Sequence, residues 1–300
     1  MTPEGWLHRL TKLRVDRARG DLAPHKPLLL LVVLELADQQ LQPRDILQLS
    51  PELAFRFAAF WTIVAHRRRQ PPDVRLPFHH LRSDGCWTAL TEDGKPSPDS
   101  RLTKYAAMPA DFVASLSDPC WRDLARRILI DTYFQPEERV ALRALCGLPT
   151  LGDGDSDSRA RAAAVQEFER RGREARFRMT VVMGYNYTCA LTGYRLTTIS
   201  AGSIVDAAHI HRFASSRNND PRNGISLCKN AHWLFDQGLW SVTDDYRVIV
   251  AIGHFYESSP DNKGLESYNG ALLRLPADRN LWPGPTYIAW HRKHKFLGPA

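Results

Sequence analysis

Apolar and polar residues alternate along the chain with spacings that predict its main elements. Segment 25–40, HKPLLLLVVLELADQQ, is apolar on nearly every side after an early proline, which is typical of a buried helix. Segment 50–69, SPELAFRFAAFWTIVAHRRR, carries apolar residues at helical spacing, at Leu53, Phe57, Phe60, Trp61 and Val64. Segments 76–90, LPFHHLRSDGCWTAL, and 246–255, YRVIVAIGHF, are rich in aromatic and β-branched residues beside glycine and predict strands or strand-turn units.

A polar stretch at 151–158, LGDGDSDS, has nothing to bury and predicts a linker. The next residues, 159–178, hold seven arginines against three glutamates and predict a basic helix. Such a helix either exposes a solvated face or lies along phosphates. We therefore expect an amino-terminal domain at 1–150, a linker and basic helix at 151–180, and a second domain at 181–300.

Net charge favours a polyanionic partner. The 300 residues include 40 Lys and Arg against 33 Asp and Glu, a formal charge of +7, which favours nucleic acid but also serves solubility. The longest apolar run, 27–37, is broken by Glu35 and is shorter than the roughly 20 residues that a bilayer needs, so we expect no membrane partner. Five scattered cysteines and an amino terminus without an apolar signal core favour a reducing, cytoplasmic setting.

The segment 205–236 carries the candidate chemistry. Asn223 follows His209 by fourteen residues, and His232 follows Asn223 by nine. SIVDAAHIHRF predicts a strand that ends near His209, and ISLCKNAHWLFDQG predicts a second strand and a helix ended by Gly238. Phosphodiester hydrolysis needs a base for water and a divalent ion for the leaving oxygen, and histidine suits both tasks.

Each of these residues has a proposed task beside a structural alternative. His209 at the strand end is the candidate base, and His232 on the helix is a candidate metal ligand. Asp236 lies one turn after His232 and is a candidate second ligand, while Asn223 lies in a turn sequence and is a candidate brace for the loop. Taken singly, such residues are more often structural.

Together, the words CALTG, AAHI, NGISLC and HWLFD resemble the HNH endonuclease motif of modification-dependent restriction enzymes, over about residues 185–250. The resemblance implies a ββα-metal fold with His209 as general base, Asn223 as structural or metal-orienting residue, and His232 as ligand of Mg²⁺ or Mn²⁺. Many HNH nucleases have a ligand directly before the base, where this chain has Ala208, so the second ligand stays open between Asp236 and Asp206. The odd offset of Asp206 from His209 points it to the other strand face.

Two further expectations concern zinc and the amino-terminal domain. The cysteines form no CxxC pair, so we expect no structural zinc. The words LRVDRARGDLAPHKPLLLL, LPFHHLRSDGCW and YAAMPADFVASL, within residues 6–119, resemble the sulfur-binding domain that precedes HNH modules in type IV restriction enzymes acting on phosphorothioate DNA.

Sulfur in place of a phosphate oxygen keeps the charge but is larger and weakly hydrated, so its recognition needs an apolar hollow with a basic rim. Candidates for the apolar wall are Tyr105, Ala106 and Pro109, and candidates for the rim are His79, His80 and Arg82. Further phosphate-binding candidates are Lys26, Arg67, Arg68 and Arg69.

The sequence thus predicts an α+β chain, in which a mixed α/β DNA-reading domain is followed by a linker, a basic helix and a ββα-metal nuclease domain. The predicted function is a type IV restriction endonuclease that cuts phosphorothioate-modified double-stranded DNA with one divalent metal. Since one site cuts one strand, a homodimer is expected.

Two alternatives remain: an HNH endonuclease directed to methylated or hydroxymethylated cytosine, and a DNA-binding protein with an inactive HNH module. The end of the chain, TYIAWHRKHKFLGPA, either extends the DNA surface or is a solvated tail.

Overall fold

The computed structural model describes residues 1–17, 22–39, 45–67, 72–149, 159–200, 202–258 and 264–299, with residues 159–162 described by their backbone alone. The α-helices are α1 (Pro3–Leu10), α2 (His25–Asp38), α3 (Pro51–Val64), α4 (Arg75–His80), α5 (Ala110–Ser117), α6 (Pro119–Tyr133), α7 (Pro136–Cys146), α8 (Arg159–Gly184), α9 (Phe213–Ser216), α10 (Lys229–Asp236) and α11 (Pro285–His294). The strands are β1 (Ile46–Gln48), β2 (Thr88–Leu90), β3 (Tyr105–Ala107), β4 (Thr197–Thr198), β5 (Gly202–Ser203), β6 (Val205–His209), β7 (Gly224–Cys228), β8 (Trp240–Val242) and β9 (Val248–Val250).

The described elements form an α+β chain, as the sequence predicts. The chain divides into two units, which are residues 1–176 with 198–202 and residues 177–197 with 203–300. The predicted linker at 151–158 lies outside the described residues, so the boundaries at 150 and 180 stay predictions. None of the described helices is long and apolar enough to cross a membrane.

The core of the first unit is built around α2, which confirms the predicted buried helix. Ten of its 14 residues are buried, and it packs against α3, α4, α5 and α6. Fully burying a leucine side chain contributes about 2 kcal/mol, so this helix is a large source of hydrophobic stabilisation in the unit. Glu35 is the polar residue within the apolar run 27–37, and burial raises its pKa to about 6.

Helix α3 begins where the sequence predicts. The hydroxyl of Ser50 accepts the N–H of Leu53 at 3.2 Å, and Pro51 occupies the first turn. The predicted apolar face is confirmed, because all of its members are buried: Leu53, Phe57, Phe60, Trp61 and Val64. Strands β1, β3 and β2 form a small antiparallel sheet in that order.

The strand prediction for 76–90 is wrong over most of its length. Residues up to His80 belong to α4, residues Leu81–Asp84 form a 3-10 turn, and only Thr88–Leu90 form a strand. The physical reason is spacing, since Val74, Phe78 and Leu81 recur at helical intervals and are all buried. The aromatic content of this segment reflects packing against α2, not a strand.

In the second unit, β6 and β7 form an antiparallel hairpin that leads directly into α10. His209 pairs with Gly224 and Val205 with Cys228, at the two ends of the ladder. The predicted strand, loop, strand and helix are therefore confirmed, and Gly238 after α10 has a φ of +72°. A side chain at Gly238 would collide with the carbonyl of Lys295, which adds a second reason for glycine there.

The carboxyl-terminal segment is not a solvated tail. Helix α11 packs on β8, and its Ile288 and His291 are both 2% exposed. His291 stacks on Phe235 of α10 at 3.7 Å between ring centroids and lies 2.9 Å from the hydroxyl of Ser241. Burial lowers the pKa of His291 to about 4, so the ring is neutral in the folded protein at pH 7.

The predicted basic helix is α8, and several of its arginines are paired with its own glutamates. Arg170 lies 2.7 Å from Glu167 and 3.1 Å from Glu174. Arg173 likewise lies 2.6 Å from Glu169. These exposed pairs compensate part of the positive charge, which favours the solvated face over a helix that lies along phosphates.

Candidate active site

His209 ends β6 with its imidazole held by side chains from separate segments. The ring of Phe177 on α8 stacks on it at 4.0 Å between centroids, with the two planes 12° apart. Phe213 approaches to 5.6 Å, and Nε2 of His209 lies 3.1 Å from Oδ1 of Asn219. The stacking fixes the plane of the ring, and the contact with Asn219 selects one of the two orientations related by a flip about χ2, as a general base requires.

Asn223 is fully buried, and its side-chain amide bonds to the backbone of the loop that begins after β6. Its Oδ1 accepts the N–H of His211 at 2.8 Å, and its Nδ2 donates to the carbonyls of His211 and Asn218 at 2.9 and 3.2 Å. The backbone carbonyl of Asn223 also accepts the N–H of Ile210 at 2.9 Å. These bonds tie the two ends of the loop together, which supports a bracing role.

His232 and Asp236 lie one turn apart on α10. Nε2 of His232 is 3.5 Å from Oδ2 of Asp236, and the two side chains are 30% and 41% exposed. Asp206, the other candidate ligand, lies across the strand from the face of His209 and is 3.8 Å from Arg178. The geometry therefore groups Asp236 with His232 and places Asp206 in a different ion pair.

In the first unit, the three rim candidates differ in exposure. His80 and Arg82 are exposed, and Arg82 donates from Nη1 to the carbonyl of Ser97. His79 is 2% exposed, with Nδ1 2.7 Å from the hydroxyl of Thr103, so its predicted place at an exposed rim is corrected. Burial lowers the pKa of His79 and of His80, which favours neutral rings at pH 7.

The three candidates for an apolar wall lie at and just after β3. Tyr105 and Pro109 are partly exposed. Ala106 is 0% exposed in the central strand, between Leu47 of β1 and Ala89 of β2. Its predicted place in the wall is corrected, because its side chain belongs to the core beneath the sheet.

Two of the phosphate-binding candidates are engaged inside the first unit. Nζ of Lys26 lies 2.6 Å from Asp84, and the two side chains are 12% and 3% exposed. Nε of Arg67 lies 2.7 Å from Glu138, with both side chains buried. The prediction of phosphate contact is therefore corrected for Lys26 and Arg67, since either side chain would have to leave a buried ion pair, at a cost of several kcal/mol, to reach a phosphate. Arg68 and Arg69 lie outside the described residues.

Comparison with known families agrees with both halves of this description. The sequence model of the HNH endonuclease family matches residues 189–243, which contain His209, Asn223 and His232. The model of the ScoMcrA-like DNA sulfur-binding domain matches residues 3–150. The chain joins a DNA sulfur-binding domain to an HNH endonuclease domain.

Two solved structures resemble parts of this chain. The modification-dependent TagI restriction endonuclease is 20% identical, with a TM-score of 0.30 over 40% of this chain and 37% of that one. The sulfur-binding domain of SprMcrA complexed with phosphorothioated DNA is 18% identical, with a TM-score of 0.40 over 49% of this chain and 95% of that one. Likenesses at these TM-scores carry no weight for the fold. No curated protein matches this chain.

HNH endonucleases generally depend on a divalent metal, so the donors in the HNH domain need to fit one. Among the described residues, no group of three or more His, Cys, Asp or Glu side chains could hold a metal ion. The donor pair His232 and Asp236, 3.5 Å apart, fits an ion such as Mg²⁺, which keeps several waters and takes its remaining oxygens from phosphate. Neighbouring ligands of an ion bound at about 2.1 Å lie about 3 Å apart, close to this separation.

The sequence reasoning missed two residues beside His209 in the HNH domain. Phe177 lies on α8, outside the HNH motif. The sequence signal that could have indicated it is its place among the apolar residues that recur at helical spacing along this helix. Asn219 lies in the polar loop SSRNNDPRNG, where several asparagines and serines are equally plausible hydrogen-bond partners by sequence alone. Only the contact with the ring distinguishes it from its neighbours.

Proposed function

We propose that this protein is a type IV restriction endonuclease that recognises phosphorothioate-modified double-stranded DNA and hydrolyses phosphodiester bonds near the modification. The observation that carries the proposal is the joining, in one chain, of a sulfur-binding domain to an HNH domain whose matched segment contains His209, Asn223 and His232. The sulfur-binding domain selects the DNA, and the HNH domain cuts it.

In the HNH domain, His209 removes a proton from water, and the resulting hydroxide attacks phosphorus in line with the 3′ oxygen. The new bond joins the hydroxide oxygen to phosphorus, the bond from phosphorus to the 3′ oxygen breaks, and the departing oxygen takes a proton from solvent. His232 and Asp236 would hold the divalent ion, which would supply Lewis-acid stabilisation of the departing oxygen. Asn223 braces the loop beside the base.

In the sulfur-binding domain, the exposed and partly exposed candidates form the proposed reading surface, defined as His80, Arg82, Tyr105 and Pro109. Tyr105 and Pro109 supply apolar area for sulfur, while Arg82 and His80 supply donors for the remaining phosphate oxygens. His79 is buried beneath this surface, where its Nδ1 lies within hydrogen-bond distance of the hydroxyl of Thr103. The imidazole ring of His79 packs edge-on against that of His80, with 5.1 Å between their centroids.

We also propose a homodimer on the DNA, since one HNH centre cuts one strand and a double-strand break needs two. Sedimentation of the protein with and without modified duplex measures this directly. Two protomers per duplex are expected, and one protomer per double-strand break contradicts the dimer without affecting the assignment of the HNH centre.

The test of function is a cleavage assay on matched duplexes that carry a phosphorothioate, a methylcytosine, a hydroxymethylcytosine or no modification, in Mg²⁺ or Mn²⁺. We expect cutting of phosphorothioate DNA alone. His209→Ala is expected to lower the rate by about 10²- to 10⁴-fold, the usual contribution of a general base. His254→Ala, a change at an exposed histidine of the same domain, is the control and is expected to cut normally.

Equal cutting of unmodified DNA contradicts the proposal. Selective cutting of either modified-cytosine duplex would reassign the modification that is read. Binding of phosphorothioate DNA without cutting in either metal would instead show a binding protein with an inactive HNH domain.

A further inference from the structure

The base His209 has its ring plane and its orientation about χ2 set by different neighbours. Phe177 stacks on one face at 4.0 Å with planes 12° apart, and it is itself 2% exposed and therefore anchored in the core. Stacking fixes the plane of an imidazole but permits both orientations related by a flip of about 180° about χ2, which exchanges the nitrogen and carbon edges of the ring. The hydrogen bond between Nε2 of His209 and Oδ1 of Asn219, at 3.1 Å, selects one of the two.

Asn219 is presented to the ring by a loop that is held on both sides of it. On one side, Asn218 donates from Nδ2 to the hydroxyl of Tyr287 at 2.7 Å, and its carbonyl accepts Nδ2 of Asn223 at 3.2 Å. On the other side, the carbonyl of Asp220 accepts the N–H of Asn223 at 2.8 Å. The fully buried Asn223 thus sets the position of Asn219, and through it the orientation of the base.

The polarity of this contact determines the tautomer. An amide oxygen only accepts hydrogen bonds, so Nε2 of His209 carries the hydrogen and Nδ1 carries the lone pair. We propose that Asn219 is a positioning residue for the general base: it accepts the Nε2–H of His209 and thereby makes Nδ1 the nitrogen that takes the proton from water. The proposal rests on the assignment of His209 as base in the proposed function.

After proton transfer the ring is an imidazolium, and its Nε2–H still donates to Asn219. The amide oxygen then stabilises the charged ring as well as the neutral one, without the full charge of a carboxylate. Among the charged groups on the surrounding elements, Arg178 lies 3.8 Å from Asp206, Arg222 lies 2.7 Å from Asp220, and Arg217 lies over the ring of Phe213 at 5.7 Å.

The first test measures the pH dependence of phosphorothioate DNA cleavage by the full chain in Mn²⁺. We expect Asn219→Ala to lower kcat by about 10- to 100-fold with KM within about twofold, since part of the general-base contribution is lost while DNA binding is kept. Asn219→Asp restores an acceptor and adds a negative charge, so we expect kcat near wild type at alkaline pH. The added charge stabilises imidazolium, so the acid limb moves to higher pH by about one unit.

The matched control is Asn280→Ala, the same change at an exposed asparagine of the HNH domain, which is expected to leave kcat and the pH profile unchanged. A purely structural role for Asn219 predicts equal losses in the Ala and Asp variants and no movement of the acid limb. Either that pattern or full activity in Asn219→Ala overturns the proposal.

The second test needs no cleavage and separates failure of this proposal from failure of the proposed function. Nitrogen NMR on ¹⁵N-histidine-labelled protein distinguishes the two neutral tautomers, and comparison with His209→Gln assigns the signal. We expect His209 in the Nε2–H form in wild type and a mixture of tautomers in Asn219→Ala. An Nδ1–H form in wild type overturns the proposal even if DNA is cut, whereas an Nε2–H form in a protein that cuts no DNA keeps the positioning contact and rejects the catalytic role.

Discussion

The bracing role of Asn223 leads to a quantitative prediction, because the hydrogen bonds of its side-chain amide are defined in the structure. The side chain is 0% exposed and makes three hydrogen bonds to backbone groups of His211 and Asn218. At about 1 kcal/mol for each bond, with the N–H of His211 then left without its acceptor, Asn223→Ala is expected to destabilise the HNH domain by about 3 kcal/mol.

Asn223→Asp sharpens the test because it changes one atom of the amide. The retained oxygen still accepts the N–H of His211, but the second carboxylate oxygen replaces Nδ2, which lies 2.9 and 3.2 Å from two carbonyl oxygens. These oxygens repel a carboxylate and favour a protonated carboxyl, so the pKa of the introduced group is raised in the folded state. The folded state then binds more protons than the unfolded one, and stability is lost as pH rises from about 4 toward 7.

Urea unfolding of the full chain at several pH values, followed by tryptophan fluorescence, provides the assay. Comparison with Asn223→Ala at each pH removes the pH dependence shared by all variants. We expect Asn223→Asp to lose stability relative to Asn223→Ala as pH rises. A wild-type stability of Asn223→Asp at pH 8, together with tighter Mn²⁺ binding, would refute the brace and assign Asn223 to the metal.

Further outcomes follow from the same geometry. Asp236→Asn is expected to weaken Mn²⁺ binding to the free protein by about tenfold or more in calorimetry, and Asp206→Asn to leave it within about twofold; the reverse order contradicts the assigned ligand pair. Because the pKa of buried His291 falls from 6.5 to about 4, the unfolded state binds more protons between these values, and the HNH domain is expected to lose about 2 kcal/mol from pH 7 to pH 5. Urea unfolding of His291→Gln should lack this slope, and an unchanged slope contradicts the assignment. Arg82→Ala is expected to reduce the salt dependence of phosphorothioate DNA binding by about one unit of log–log slope. Lys26→Met instead should cost about 3 kcal/mol of stability, and a selective loss of DNA affinity would return Lys26 to the reading surface.

Local sequence patterns predicted the elements whose spacing has one interpretation. The all-apolar α2, the amphipathic α3, and the strand, loop, strand and helix of the HNH domain agree with their predictions. The strand prediction for segment 76–90 was wrong because its apolar residues fit both the composition of a strand and the spacing of a helix. Packing against α2 decides between the two, and that packing is not a property of the segment itself.

The sequence by itself indicated both domain families, the first from short words in the right order and the second from residue types at fixed chain intervals, which also set the order of His209, Asn223 and His232. Only the tertiary structure decided which polar side chains form ion pairs and hydrogen bonds with each other. It pairs Lys26 with Asp84 and Arg67 with Glu138, and so removes two basic residues from the predicted DNA surface.

It also places Asp236 beside His232 and Asn219 against His209. A charged or amide side chain binds the partner that folding brings within about 3 Å, and residue type alone does not specify that partner. The motif residues of the sequence therefore indicate the chemistry of the chain, while the orientation of the proposed base, His209, depends on the folded loop that carries Asn219.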